Sequence, residues 1–343
     1  MTMESPAGTR RAPSMAAVAD AAGVSMQTVS RVARGFDNVS PETRDRVQRA
    51  MESLGYRPNR AARALRSGRF RTIGVIMFTL ASFGNMRTLE AIADAAGVAD
   101  FTITLLPMAS RTEAGVRSAF SRLHEQAVDG VVIIIESHII DTAEVVLPDG
   151  VPMVIIDSTG STDHPAIDTD QADGARQATQ HLLDLGHETV WHVAGPESSY
   201  SAARRLAAWQ DTLTRAGRPV PPVFRGGWTT EHGYEAGLEI AARPEITAVF
   251  AANDQTALGV LRAAHESGRP VPSSLSVVGF DDSPESDSFW PPLTTVHQSF
   301  DEVGRRAVAN LLAQIDGERV SVAADLVPVR LVERASTAAP PAR

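Results

Sequence analysis

The sequence has no cysteine, which removes disulfides, thiolate metal sites and cysteine nucleophiles together and suits a reducing compartment. No apolar run approaches the roughly 18 residues of a membrane-spanning helix, and the opening "MTMESPAGTRRAP" lacks the continuous apolar core of a secretory signal. A cytoplasmic protein with no membrane partner is expected. Histidine occurs nine times but without ligand spacing. There is no HExxH, and His181, His187 and His192 fall on a helix end, a turn and an expected strand, so no metal is expected. A Walker-type phosphate loop, a GxGxxG fingerprint and a GxSxG elbow are also missing, and no cofactor is expected.

What is present is a chain of 343 residues, 43% hydrophobic and 21% charged, with room for two or three domains and sizeable cores. Its net charge of −9 is unevenly spread. Residues 1–70 carry 12 Arg against 6 acidic residues, net +6; residues 71–343 carry 20 basic against 35 acidic, net −15. A small basic part joined to a large acidic one points to a polyanionic partner for the first, or to a merely solvated basic surface, and to a different partner for the second.

Helix signals decide between those readings. Ser14 can cap a helix with Met15, Val18 and Ala22 at helical spacing, which Gly23 interrupts. Ser25 can cap a second helix with Thr28, Val29, Val32 and Ala33 on one side and Met26, Gln27, Ser30, Arg31 and Arg34 on the other. A third starts at Ser40-Pro41, buries Val47, Ala50, Met51 and Leu54, and stops at Gly55. Three short helices, the first two joined by a glycine-containing turn, describe a helix-turn-helix unit. Its polar face suits the DNA major groove: Gln bridges an adenine edge, Arg a guanine edge, and Met meets a thymine methyl. The following "RPNRAARALRSGRFR" offers a helix from Asn59 to about Arg66 that is too short to stand alone. Leu65 among Arg60, Arg63 and Arg66 suits a wedge in the minor groove with arginines on phosphates, or else a flexible linker.

Past residue 70, apolar runs ("TIGVIM", "FTITLLP", "GVVIII", "VPMVIID", "TVWHVAG", "TAVFAAN", "LSVVGFDD") alternate with helical stretches such as "QADGARQATQHLLDLG" and "DQTALGVLRAAHESG". That pattern means parallel sheets covered on both faces, here two doubly wound units with a ligand at the carboxyl ends of strands. Asp157 and Asn253 each end one of these runs, Asp281 stands at the end of "LSVVGF", and Arg205 lies in the helix after another. Acid, amide and guanidinium groups converging on one cleft suit a polyhydroxylated ligand, although Asp281 could equally cap a loop.

"VADAAGVSMQTVSRV", "VSPETRDRV", "LGYRPNRAARAL", "GVPMVIID", "AANDQTALGV", "VVGFDD" and "PPLTTVHQSF", in this order, resemble the lactose-repressor family of bacterial transcription regulators over about residues 14–336. The resemblance implies a DNA-binding regulator, not an enzyme, whose sensor has two periplasmic-binding-protein-like subdomains linked by three crossovers. Its division would be a loose extension at 1–13, the helix-turn-helix domain at 14–58, a hinge helix and linker at 59–70, the sensor at 71–336 and a loose tail at 337–343. Within the sensor, one subdomain would take about 71–169 and 300–327, the other about 170–299 and 328–336. By the same resemblance Asp157, Arg205, Asn253 and Asp281 match effector-binding positions, Trp228 matches an aromatic packed on the ligand, though it could be a core residue, and Gln298 matches another polar contact. The set looks most like the galactoside-responsive branch. It implies a homodimer on palindromic double-stranded operator DNA, released by a small sugar; a purine effector or co-repression is the alternative.

Some residues depart from that pattern. Met26 stands where one galactoside-responsive member of the family has Tyr, while Gln27 and Arg31 match, so a related but different operator is expected. Phe78, Ser82, Phe83 and Asn85 differ from the apolar ligand-facing set, which affects the part of the effector beyond the core sugar. The stretch "LEAIADAAGVADFTIT" is slightly shortened, and the end "VERASTAAPPAR" has no leucine heptads for a tetramer. Among rival readings, a glycosidase would need two acids flanking one bond, whereas Asp281 and Asp282 are consecutive and point to opposite sides of a strand. A transported sugar-binding protein would need an export signal in place of a basic reading head.

Overall fold

Capping serines and left-handed glycines punctuate the start of the computed structural model, which describes residues 13–33, 36, 38–57, 68–107, 122, 127–134, 150–157 and 164–342. Helix α1 spans Met15–Ala22, α2 Met26–Ala33 and α3 Pro41–Leu54. Ser14, Ser25 and Ser40 accept the amides of Ala17, Thr28 and Thr43 at 3.2, 3.2 and 3.4 Å, satisfying donors that a helix start leaves without intrahelical partners. Gly23 (φ 62°) and Gly55 (φ 65°) close α1 and α3 in the left-handed conformation. Val18, Ala19, Ala22, Val29, Val32, Val39, Val47 and Ala50 form one buried cluster. Leu54, expected in that cluster, is instead 39% exposed. The chain turns back at Gly55, the Tyr56 amide bonds the Met51 carbonyl at 2.8 Å, and it is Tyr56 that packs on the cluster. The expected hinge helix, Asn59 to about Arg66, and the extension before Pro13 lie outside the described residues.

The chain divides into two compact units, Met1–Phe70 and Arg71–Arg343. In the second, strands β1 (Thr72–Met77), β2 (Thr102–Pro107), β3 (Gly130–Ile134), β4 (Met153–Ile156) and β5 (Ala166–Thr169) pair in parallel in the order β2-β1-β3-β4-β5. Strands β6 (Trp191–Ala194), β7 (Phe224–Arg225), β8 (Ala248–Ala251), β9 (Ser276–Asp281) and β10 (Thr294–His297) repeat that order as β7-β6-β8-β9-β10. Each sheet gains one late strand at its edge: β11 (Asp325–Val327) runs parallel to β5, and β12 (Arg330–Val332) antiparallel to β10.

Strand periodicity sorts the side chains. Ile73, Val75 and Met77 point to a face covered by α4 (Phe83–Val98) and α9 (Phe300–Ile315), while Ile76 joins Ile133, Met153 and Ile155 on the other. In the second sheet, α7 (Thr230–Ala241) and α8 (Asp254–Glu266) cover one face and α5 (Gln171–Asp184) with α6 (Tyr200–Arg215) the other, centred on the fully buried Trp209. The chain therefore passes between the two layered halves three times: at Asp170, between His297 and Phe300, and between Val327 and Arg330. This is the α/β class expected, with two doubly wound sheets.

The chain end differs from the loose tail expected from residue 337. Ser336 is fully buried and its hydroxyl donates to the Val277 carbonyl at 2.6 Å; the Ala338 amide donates to Ser276 Oγ at 3.0 Å. The Ala338 carbonyl also meets His187 Nε2 at 3.0 Å. Small polar residues satisfy the backbone of β9 and β10 here, so the segment is held without large apolar side chains.

Candidate functional site

The helix-turn-helix unit presents part of the expected reading face. On α2, Met26 is 57% exposed, Gln27 is exposed and Arg31 half-buried, opposite the buried Val29 and Val32. Ser30, assigned to the same face, is 8% exposed. A serine is short enough to lie within the envelope of its helix and neighbours, so this position does not stand out from the surface as its place on the helical wheel suggested. Arg34, Asn59, Arg60, Arg63, Leu65 and Arg66 lie outside the described residues.

The six sensor residues singled out in the sequence line one cleft of about 610 Å³, its open mouth included: Asp157, Arg205, Trp228, Asn253, Asp281 and Gln298. They arrive from both sheets. Asp157 follows β4; Asn253 and Asp281 stand at the carboxyl ends of β8 and β9; Gln298 sits in a crossover. Asp157 (φ 59°) and Asp281 (φ 121°) hold backbone conformations that residues with a Cβ rarely adopt, a form of strain that collects where function fixes a side chain's aim.

Arg205 organises the cleft and is 4% exposed. Its guanidinium lies 3.7 Å from the centroid of Phe280 and 5.5 Å from that of Trp228. Nε donates to Gln171 Oε1 at 2.8 Å, Nη1 donates to the Ala252 carbonyl, and Nη2 stands 3.8 Å from Asp281 Oδ1. Gln171 Nε2 donates to Gln298 Oε1 at 3.3 Å and Gln298 Nε2 to Asp281 Oδ1 at 2.6 Å, closing a polar ring back to Arg205. Burial pulls the Arg205 pKa down, against the attraction of Asp281 and then Asp157. Burial likewise pushes the Asp281 carboxyl up to about 7 and Asp168 up to about 6, opposed in each case by the nearest arginine, Arg205 or Arg204. A ligand that donates hydrogen bonds would replace the water these carboxylates have lost.

Two further groups shape the walls. Asn253 Oδ1 caps α8 through the Thr256 amide at 2.9 Å, and its Nδ2 donates to the Trp228 carbonyl at 3.1 Å and Gln255 Oε1 at 3.0 Å. Both amide protons are thereby engaged, so Asn253 offers a ligand one acceptor lone pair and positions Trp228 as much as it binds. Gly195 ends the β6 run beneath Trp228, where an added Cβ would stand 2.6 Å from the indole. Asp254, one residue on, is fully buried and ties Ser283 N (2.7 Å) and Thr295 Oγ1 (2.5 Å), locking the β8, β9 and β10 ends together.

Ser82, Phe83 and Asn85 line the cleft, whereas Phe78 packs against the cluster around Ile76. Asp168, Gln171, Ser201 and Phe300 also line it and were not read from the sequence. The available signal was weak: Ser201 precedes Arg205 by one helical turn, and Asp168 lies in the short, half-polar run "AIDT". A second pocket, about 780 Å³ with its open mouth, shares Phe83, Asp281, Gln298 and Phe300 with the cleft and continues it. Asp282 is turned away to Arg334 (2.6 Å) and His297 (2.9 Å), so it does not face Asp281 across a ligand.

Comparison with known proteins matches residues 14–59 to the family model "Bacterial regulatory proteins, lacI family" and residues 179–337 to a periplasmic binding protein-like domain. The lactose operon repressor of Escherichia coli (strain K12) is 35% identical over 330 residues, covering 94% of this chain and 90% of its own. A crystal structure of the lac repressor dimer bound to operator and the anti-inducer ONPF aligns with a TM-score of 0.82 at 35% identity, over 94% of this chain and 98% of that one. The transcriptional regulator CelR in complex with cellobiose aligns with a TM-score of 0.70 at 32% identity, over 94% and 99%.

Proposed function

Because the chain belongs to the lacI family of bacterial regulatory proteins, DNA-binding transcriptional regulators that respond to small effectors, we propose that it represses a sugar-utilisation operon in the cytoplasm. It binds a near-palindromic operator as a dimer and is released by a galactoside-like sugar. On this reading Met26, Gln27, Arg31 and Arg34, with Ser30 beside them, meet base edges in the major groove. Asn59, Arg60, Arg63, Leu65 and Arg66 form the hinge that enters the minor groove.

The observation that carries the sugar reading is the chemistry of the cleft. Asp157, Asp168 and Asp281 present acceptors beside an indole, with Arg205 as the cation among them. Such a wall suits a ligand rich in hydroxyl donors and with an apolar ring face, and suits a purine, which has few donors, less well. The net charge of −15 past residue 70 disfavours phosphorylated ligands. The second pocket beyond Phe83 and Phe300 favours a glycoside over a single sugar ring. On this reading the protein acts by binding, and the Asp282 carboxylate next to Asp281 serves the fold through Arg334 and His297.

Calorimetric titration with a panel of galactosides, cellobiose, other sugars and purines tests the proposal. A glycoside should bind the natural chain and not Arg205→Ala, which should still bind operator DNA. Binding of a purine alone, or unchanged glycoside affinity in Arg205→Ala, would overturn it.

A further inference from the structure

Helix α6 carries two neighbouring stripes at its start. Ser201 and Arg205, one turn apart, face the cleft. Tyr200 and Arg204, also one turn apart, reach across to the other half of the sensor. Tyr200 is 3% exposed and lies in the cluster of Ile76, Ile133 and Met153 on the first sheet. Arg204 Nη1 donates to Asp168 Oδ2 at the end of β5. Asp168 is itself 4% exposed, accepts the Thr169 amide on Oδ1 at 2.7 Å and lines the cleft. Among the described residues, this is the ion pair whose partners stand in different halves of the sensor.

We propose that Asp168 and Arg204 are positioning residues, a buried strut that sets the spacing between the start of α6 and the first sheet and through which cleft occupancy moves the two halves. A ligand that draws on Arg205 shifts the helix that carries Arg204, and one that donates to Asp168 competes with Arg204 directly. Removing Arg204 leaves the buried Asp168 carboxyl short of a counterion, which is relieved by separating the halves and admitting water, and removing Asp168 takes from the part-exposed Arg204 its tie to the first sheet. Removing both charges together leaves no such drive. The ligand-driven part rests on the cleft being the effector site; the strut itself does not.

The lack of native cysteine makes the test clean. Ser267→Cys after α8 and Glu318→Cys after α9 place one spin label on each half at exposed positions, in full-length chain diluted with unlabelled chain. Electron–electron resonance should give one distance distribution for the intact strut. Asp168→Asn and Arg204→Gln should each displace or split it by about 2 Å or more, the scale of packed-helix shifts. The double substitution Asp168→Asn/Arg204→Gln should return it toward the starting distribution. Arg204 is 28% exposed in its side chain, so its replacement keeps the test open if Asp168→Asn does not fold. An unchanged distribution in the single variants, or a double variant displaced as far as the sum of the singles, would overturn the strut. Lactose and cellobiose then probe the ligand-driven part: either sugar should move the natural distribution and move the single variants less. If neither moves the natural chain while the single variants are displaced, the strut stands and the sugar reading falls.

Discussion

Asp281→Asn should stabilise the protein at alkaline pH while removing its response to effector. The Asp281 carboxyl is 6% exposed, and burial lifts its pKa from 3.8 to about 7 even with Arg205 drawing it down. Between those values the folded chain holds a proton that the unfolded chain has released, so stability falls as pH rises through this window. At 1.36 kcal/mol per pH unit, the cost of ionising Asp281 approaches an upper bound of about 4 kcal/mol above pH 7. Asparagine keeps an oxygen for the Gln298 Nε2 donor and carries no charge to desolvate. Arg205 loses a partner 3.8 Å away but retains Gln171 and the Ala252 carbonyl, so a net gain of about 1–3 kcal/mol is expected at pH 8, vanishing near pH 4. Urea unfolding of the full chain and the variant at pH 5, 6, 7 and 8 reads this directly. Equal or lower stability of the variant at pH 8 would mean that Arg205 outweighs burial and that Asp281 is an ordinary ionised carboxylate.

Other perturbations separate the parts of the account. Gly195→Ala drives a Cβ to 2.6 Å from the Trp228 indole and should weaken glycoside binding about tenfold or more by displacing that ring, read by calorimetry and tryptophan fluorescence, with operator binding retained. Ser25→Ala removes the cap on the Thr28 amide at 3.2 Å and should destabilise the helix-turn-helix unit by about 1 kcal/mol, read by hydrogen exchange of residues 26–33. Arg31→Ala should cost about 1–3 kcal/mol and relax one base position in a binding-site selection; a uniform loss over all bases would assign Arg31 to phosphate.

The elements read from the sequence were those whose own residues carry the reason for them. The N-terminal helices were bounded by Ser14, Gly23, Ser25, Ser40 and Gly55, each acting through a local hydrogen bond or a left-handed φ. The apolar strands β1, β3, β4, β6, β8 and β9 announced themselves because they are buried on both faces, and the half-buried edge strand β2 did so through its apolar run. Strand β5 did not: "AIDT" is fully buried yet half polar, and Asp168 is held there by the Thr169 amide and by Arg204 from a distant helix. Strand β10 is similar, with Thr294 and Thr295 buried on bonds to Arg334, Thr337 and Asp254. The short β7, β11 and β12 lean on sheet edges supplied from elsewhere in the chain.

The cleft was legible where a side chain follows a strand, as at Asp157, Asn253 and Asp281, since the fold class itself says that these ends converge. Gln171 and Ser201 gave no such notice. They join the cleft because a crossover and a helix start happen to face it, which is a matter of tertiary geometry. The same limit explains Leu54 and Ser30, where helical spacing gave the direction of the side chain but not the neighbours that cover or expose it.

Coupling between the cleft and the DNA-reading unit is measured by operator affinity with and without ligand. Fluorescence anisotropy of the full chain on the DNA upstream of its own gene should give a salt-dependent, sequence-specific complex. A glycoside that binds the cleft should weaken that complex about tenfold or more, and should leave the Arg205→Ala complex untouched. Undiminished affinity of the natural chain in the presence of every glycoside shown to occupy the cleft would contradict it.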